Sequence, residues 1–213
     1  MIVIRRSSLL CALLAGLVLL PVAVQAGPPL LCFPIDIGGA TSLPWGSAAG
    51  WNAPRPGYDR AHLVNDTLAV LSPATPVLVR METLRRAAIY AMNDAGLARE
   101  LLAKIEGRVR EDPSDPPAAL ALFDAGYLIE VYKQARAVTG RDLVDRARDG
   151  YAMVERALAR LGSPPDMEYA AALVALDGRR EASRVHLAKA REGAPAGSLV
   201  SRAIESHERR WGR

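Results

Sequence analysis

Three histidines, two cysteines and a scatter of carboxylates are the side chains here that could do acid–base, nucleophilic or metal chemistry. His62, His186 and His207 stand far apart, and none is spaced with another His, Cys, Asp or Glu as a metal-binding motif requires. His186 and His207 read as solvated residues on polar helix faces. Asp142, Asp145 and Asp149 interleave with Arg141 and Arg148, the pattern of a charged, solvated helix. Asp142 falls where a first helical turn is expected, and there the helix dipole favours an anion. No nucleophile elbow, phosphate loop or dinucleotide glycine pattern is present. Cys32 is the one reactive side chain outside these patterns. Its place between Leu31 and Phe33 favours burial and inertness; the alternatives are an interchain disulfide, a metal or a nucleophilic role. No metal and no cofactor are expected. The chain is read as not an enzyme, with an atypical enzyme using Cys32 or a histidine as the alternative.

The first 26 residues locate the protein. Arg5 and Arg6 precede an apolar run from Leu9 to Val22, shorter than the ~20 residues a membrane span needs. Val24-Gln25-Ala26 then offers a signal-peptidase site. Residues 1–26 are read as a signal peptide cut after Ala26, which makes the chain exported, periplasmic or extracellular. Removing 26 of 213 residues leaves 187, and losing Arg5 and Arg6 lowers the formal charge from +4 to +2. Cys11 leaves too, so no internal disulfide is possible. The remaining arginines alternate with Asp and Glu rather than clustering on one face, so nucleic acid is not an expected partner. No membrane span is expected after cleavage.

Two compositions follow the leader. Residues 27–57 are dense in Pro and Gly and carry Trp45 and Trp51, which forbids a long helix. Leu30, Leu31, Phe33, Ile35, Ile37 and Trp45 are nonetheless costly to leave in water. The segment is read as an extended arm lying across a helical domain, with a short edge strand possible at the alternating Phe33, Ile35 and Ile37. Residues 58–213 change to Ala, Leu, Arg and Glu at helical spacing. Eight helices are predicted, over 58–72, 76–95, 97–111, 116–138, 141–161, 165–176, 180–192 and 198–210. Thr75-Pro76, Asp115-Pro116 and Ser163-Pro164 are expected to start helices with a capping side chain. Gly96, Gly140, Gly162, Gly178 and Gly193 are expected to end them. Val77, Met81, Leu84, Ala88, Ala91 and Ala95 form one apolar stripe.

Helix pairs joined by tight turns suggest a repeat array. In residues 164–195, Ala171 and Ser183 take the small positions of a tetratricopeptide unit, Leu187 and Ala190 the second-helix positions and Pro195 the closing proline, with Gly178 as the turn. Leu122, Ala125, Gly126 and Ile129, followed by Gly150, Val154 and Ala157, give a second unit with about twelve extra residues between its halves. A third, over residues 82–113, keeps Gly96, Leu101, Ile105 and Pro113 but has Ile89 where a small residue belongs. Residues 76–195 thus resemble a tetratricopeptide-like helical-repeat protein. The fold this implies is all-α, with antiparallel helix pairs in a right-handed solenoid; a nonrepeating helical bundle is the alternative.

In such arrays the first helix of each pair lines a concave groove. The resemblance therefore implies a groove lined by Arg86, Tyr90 and Asn93 on one helix and Phe123, Tyr127 and Glu130 on the next, with Glu168, Ala172 and Ala175 from the last unit. Within each set the spacing of four and three keeps the residues on one helix face. The alternative makes Tyr90, Phe123 and Tyr127 core residues of a bundle. The expected function is noncovalent binding of a peptide or partner protein. An envelope assembly subunit that lends its N-terminal arm to a neighbour is the rival reading.

Overall fold

The computed structural model describes residues 27–48, 50–110 and 115–211. The signal peptide assigned to residues 1–26 lies outside them. The described chain is all-helical: α1 (Pro29–Cys32), a 3-10 turn (Arg60–His62), α2 (Leu63–Val70), α3 (Val77–Ala91), α4 (Ala95–Glu106), α5 (Pro116–Thr139), α6 (Gly150–Leu161), α7 (Pro165–Ala175), α8 (Arg180–Gly193) and α9 (Leu199–Trp211). Among the described residues no helix is long and apolar enough to cross a membrane.

Local chemistry sets most boundaries. Proline at the start of α5 and α7 supplies the helical φ and gives up a donor that no carbonyl could have met. Asp94 caps α4, its carboxylate accepting from Gly96 N and Leu97 N at 3.0 Å each. Asp149 caps α6 by accepting from Ala152 N at 3.0 Å. Gly140 (φ +70°) and Gly162 (φ +74°) close α5 and α6 in the left-handed conformation, which glycine adopts without a Cβ clash. Gly178 (φ +88°) turns the chain between α7 and α8, as the sequence predicts.

Several expectations are corrected. The helix expected over 58–72 is a 3-10 turn followed by α2. The helix expected from 141 begins only at Gly150, because Gly140 stops α5 and Asp149 supplies the next cap. Asp142 therefore lies in the intervening loop, where it pairs with Arg136 at 2.5 Å. Asp115 makes no side-chain cap, and α3 and α7 start after Pro76 and Pro164 without one. Gly96 sits in the first turn of α4 instead of ending a helix. Phe33, Ile35 and Ile37 form no strand; Leu30 and Leu31 precede them in the single turn of α1. Trp45 and Pro54 form the only β-bridge among the described residues.

Two hairpins, α5/α6 and α7/α8, stand beside α3. The α5/α6 pair meets at two glycines. A Cβ on Gly126 would lie 2.6 Å from Gly150 O and 2.8 Å from the Met153 Cβ, so the helix backbones touch there. In the α7/α8 pair, Ser183 Oγ donates to Ala172 O at 2.8 Å, which lets a polar side chain take a buried small-residue position. Ala171 and Ala190 are fully buried beside it. Helices α3, α5 and α7 all contact one another, and α1 packs on all three.

Candidate functional site

α3 carries a buried polar stripe inside an otherwise apolar helix. Its apolar residues Met81, Leu84, Ala88 and Ala91 are fully buried, as the three- and four-residue spacing predicts. Arg80, Glu82, Thr83 and Arg85 are also fully buried. Polar groups out of water must find partners or cost stability. Arg80 finds its partners in Asp124, Thr75 and Ser72, while Glu82, Thr83 and Arg85 find theirs in one another and in residues 30–55.

Glu82 anchors the cluster. Its Oε2 accepts from Arg85 Nε at 2.7 Å and from Ile35 N at 3.0 Å. Its Oε1 accepts from Arg85 Nη2 and Arg86 Nε, both at 2.8 Å. One carboxylate thus takes four hydrogen bonds and balances one of two guanidinium charges. The second is met by carbonyl oxygens. Arg85 Nη1 donates to Leu31 O (3.1 Å) and Trp51 O (2.9 Å), and Arg86 Nη1 donates to Leu43 O (2.7 Å). The Trp45 ring lies under both guanidinium carbons, 5.1 and 5.5 Å from its centroid, a cation–π arrangement.

Tyr90, two turns on, works as a two-way clip. Its hydroxyl donates to Pro44 O at 2.6 Å and accepts from Arg55 N at 2.9 Å. Its ring meets Trp45 edge-on at 5.8 Å and Tyr58 at 4.6 Å. From α5, Gln134 Oε1 accepts from Leu30 N at 2.8 Å. Thr83 and Ser42 share a hydroxyl hydrogen bond at 2.8 Å. Seven main-chain groups of residues 30–55 (Leu30 N, Leu31 O, Ile35 N, Leu43 O, Pro44 O, Trp51 O and Arg55 N) are therefore held by side chains of α3 and α5. Leu30, Leu31 and Leu43 are buried against the same helices.

The six residues expected to line an open groove do not form one surface. Arg86 and Tyr90 belong to the cluster just described and are covered by residues 43–58. Asn93 lies exposed in the turn after α3. Phe123 and Tyr127 are fully buried core residues, their rings stacked at 5.7 Å. The reason is that α5 is packed by α1, α3, α4, α6 and α7, which leaves its middle no free face. Glu130 serves the α5/α6 hairpin, accepting from Gly150 N at 2.9 Å and pairing with Lys133 at 2.8 Å. Glu168, Ala172 and Ala175 are buried as well. Sequence reasoning missed Glu82, Arg85 and Gln134. The signal for the first two was a carboxylate three and four residues before two arginines, set within an apolar stripe.

The other candidates fall elsewhere. His186, expected in solvent, is buried: Nδ1 lies 2.6 Å from Glu168 Oε2 and Nε2 lies 2.9 Å from the Tyr151 hydroxyl. This chain ties α6, α7 and α8 together. Burial and the hydrogen bond to Glu155 push the Tyr151 hydroxyl up to about 12. His207 is also buried, edge-on to Tyr169. The cause is the same in both cases, a helix whose polar-looking face is covered by helices earlier in the chain: Tyr151 of α6 and Glu168 of α7 over His186, Tyr169 of α7 beside His207. Cys32 is half-buried, and burial pushes its thiol up against the smaller opposing effect of Arg85, so the thiolate is disfavoured. No group of three His, Cys, Asp or Glu among the described residues could hold a metal ion. Comparison with known protein families, curated proteins and solved structures finds no match to this chain.

Proposed function

We propose that this chain is an exported, tetratricopeptide-like interaction module that holds an extended peptide noncovalently, and that its own Pro/Gly-rich arm, residues 27–57, occupies the peptide site. One observation carries the reading. Side chains of α3 and α5 hold seven main-chain groups of residues 30–55, and among the described residues no backbone–backbone hydrogen bond joins that segment to α3 or α5. Recognition of main-chain N–H and C=O by fixed side chains, with apolar anchors between, is how extended peptides are bound largely irrespective of sequence.

The repeat reading rests on three further features. Two successive helix hairpins place small residues at their contacts, Gly126 on Gly150 and Ser183 on Ala172. The first helices of the pairs, α3, α5 and α7, adjoin one another. α1 lies across all three, where the inner face of a right-handed solenoid would be. The action proposed is binding without bond making, and needs no cofactor. Export follows from the leader residues 1–26.

The exposed turn at Gly57 (φ +75°), where an added Cβ meets nothing, accepts an engineered protease site. After cleavage, a fluorescent peptide of residues 27–57 is expected to exchange into the nicked protein saturably. A peptide with alanine at Leu30, Leu31, Leu43 and Trp45 is expected not to. Exchange of the segment between two protein copies would favour the assembly-subunit reading. Absence of any exchange, with the helical signal intact, would make residues 27–57 an ordinary part of the core and end the peptide-site proposal.

A further inference from the structure

A second charged centre starts from the first turn of α3, at Arg80, two residues before Glu82 but with different partners. Arg80 and Asp124 are buried together, Arg80 Nη1 donating to Asp124 Oδ2 at 2.6 Å. Arg80 also donates from Nε to Thr75 O at 3.1 Å and from Nη2 to Ser72 O. Each nitrogen of this guanidinium thus has a partner. On the other side, Asp124 Oδ1 is buried and has no hydrogen-bond partner among the described residues.

Both residues line a cavity of about 600 Å³, bounded by the end of α2, the end of α4 and the start of α5. That size falls within the range of small-molecule sites. Leu68, Leu71, Ala118 and Ala121 give it apolar wall. Arg108 and Arg110 stand at its exposed side. Arg108 is fixed by bonds to Leu68 O and Leu71 O, both 3.1 Å. Among the described residues none accepts a hydrogen bond from Arg110. Among the described lining residues, three guanidinium groups stand against the carboxylates of Asp115 and Asp124.

We propose that this cavity binds a small hydroxy-carboxylate, whose hydroxyl donates to Asp124 Oδ1 while its carboxylate meets Arg110 and Arg108. The buried, half-satisfied carboxylate calls for a donor. The guanidinium groups of Arg108 and Arg110 at the exposed side call for an anionic group on the ligand. Guanidinium groups at the exposed side suit a carboxylate, which they can grip with paired N–H donors. Burial also pushes the Asp124 carboxyl up to about 6, against the pull of Arg80, which is the mark of a charge left short of partners. A donor from a ligand would relieve that shortage. This site is independent of the peptide-site reading above, since none of its lining residues holds residues 30–55.

Calorimetry on the intact mature protein at pH 7 with three six-carbon probes separates the two halves of the recognition. Gluconate offers hydroxyls and a carboxylate, sorbitol only hydroxyls, hexanoate only the carboxylate. Gluconate is expected to bind saturably, with sorbitol and hexanoate each weaker on the order of tenfold, the usual worth of one hydrogen bond to a charged group. Arg110→Gln, at an exposed position, is expected to weaken gluconate by a similar factor and leave the melting temperature unchanged. The side-chain carboxyl ¹³C resonance of Asp124 is expected to move with gluconate and not with hexanoate. Equal binding of all three probes, no saturable binding of gluconate, wild-type affinity in Arg110→Gln or an unmoved Asp124 resonance would each overturn the proposal.

Discussion

Glu82→Gln changes one buried atom's chemistry and tests the clamp on the N-terminal segment. The carboxylate accepts four hydrogen bonds, three of them from guanidinium N–H groups and one from Ile35 N. An amide keeps one oxygen, but its NH₂ must then face a donor from Arg85, Arg86 or Ile35. Two guanidinium charges would remain, one fully buried and one 17% exposed, with only carbonyl oxygens and the Trp45 ring around them. Breaking a buried ion pair from one side costs about 3–5 kcal/mol, because the partner charge is left uncompensated. That is a large share of the roughly 5–15 kcal/mol by which domains are stable. Urea unfolding followed by circular dichroism measures the loss. Amide hydrogen exchange locates it: Ile35 N, Leu30 N and Arg55 N are expected to lose protection before the α5/α6 hairpin does. Arg86→Gln serves as the control, and its partly exposed charge makes a smaller loss the expectation. A Glu82→Gln protein within about 1 kcal/mol of the parent, a range ordinary for surface substitutions, would refute the buried-clamp reasoning.

Three further outcomes are expected. Tyr127→Phe removes a buried hydroxyl that has no partner, so stability should stay level or rise by about 1 kcal/mol, whereas Tyr127→Ala should cost about 3–5 kcal/mol by opening a cavity; paired urea curves decide, and a loss on Tyr127→Phe would reveal a partner for the hydroxyl. Gly126→Ala would gain about 1 kcal/mol from helix propensity alone, yet a Cβ 2.6 Å from Gly150 O should turn this into a net loss of about 1–3 kcal/mol, read as a lower melting temperature. The Asp124 carboxyl, raised from 3.8 to about 6, gives a stabilising contribution that is complete below pH 3.8 and fades as pH rises through 6, because the folded state holds the proton more tightly than the unfolded one. Lowering the pH from 7 to 5 should therefore add about 1 kcal/mol that the Asp124→Asn protein does not show, and equal pH slopes in the two proteins would contradict it.

Punctuation was the legible part of this chain. Gly140, Gly162 and Gly178 turn it where their positions in the sequence predict, since left-handed backbone is a local property of glycine. Gly126 and Gly150 were readable as small contact positions for the same kind of reason, a missing side chain that admits a backbone. Burial was not legible in this way. Tyr127 and Glu130 lie on one helix face by spacing, but one is core and the other bonds Gly150, because α5 has neighbours all round and spacing says nothing of how many there are. His186 looked solvated for want of any sign that Tyr151 and Glu168, 35 and 18 residues away, would close over it. The 141–149 loop was misread because its charge alternation suits a helix, while Gly140 and Asp149 set its limits.

The clamp on residues 30–55 also imposes an order of events on the chain's synthesis. Leu30 N waits for Gln134, which lies 104 residues later, and Ile35 N waits for Glu82, 47 residues later. At about 5–20 residues per second, several seconds or more pass between the appearance of Leu30 and of its holder. Until α3 has emerged, Leu30, Leu31 and Leu43 have no helix to cover them, and Leu30 N stays open to any other acceptor until Gln134 follows. The apolar anchors of residues 30–55 are thus the part of the segment longest available to outside hands, and whatever attends the chain before it folds meets them before it meets the helices that hold them.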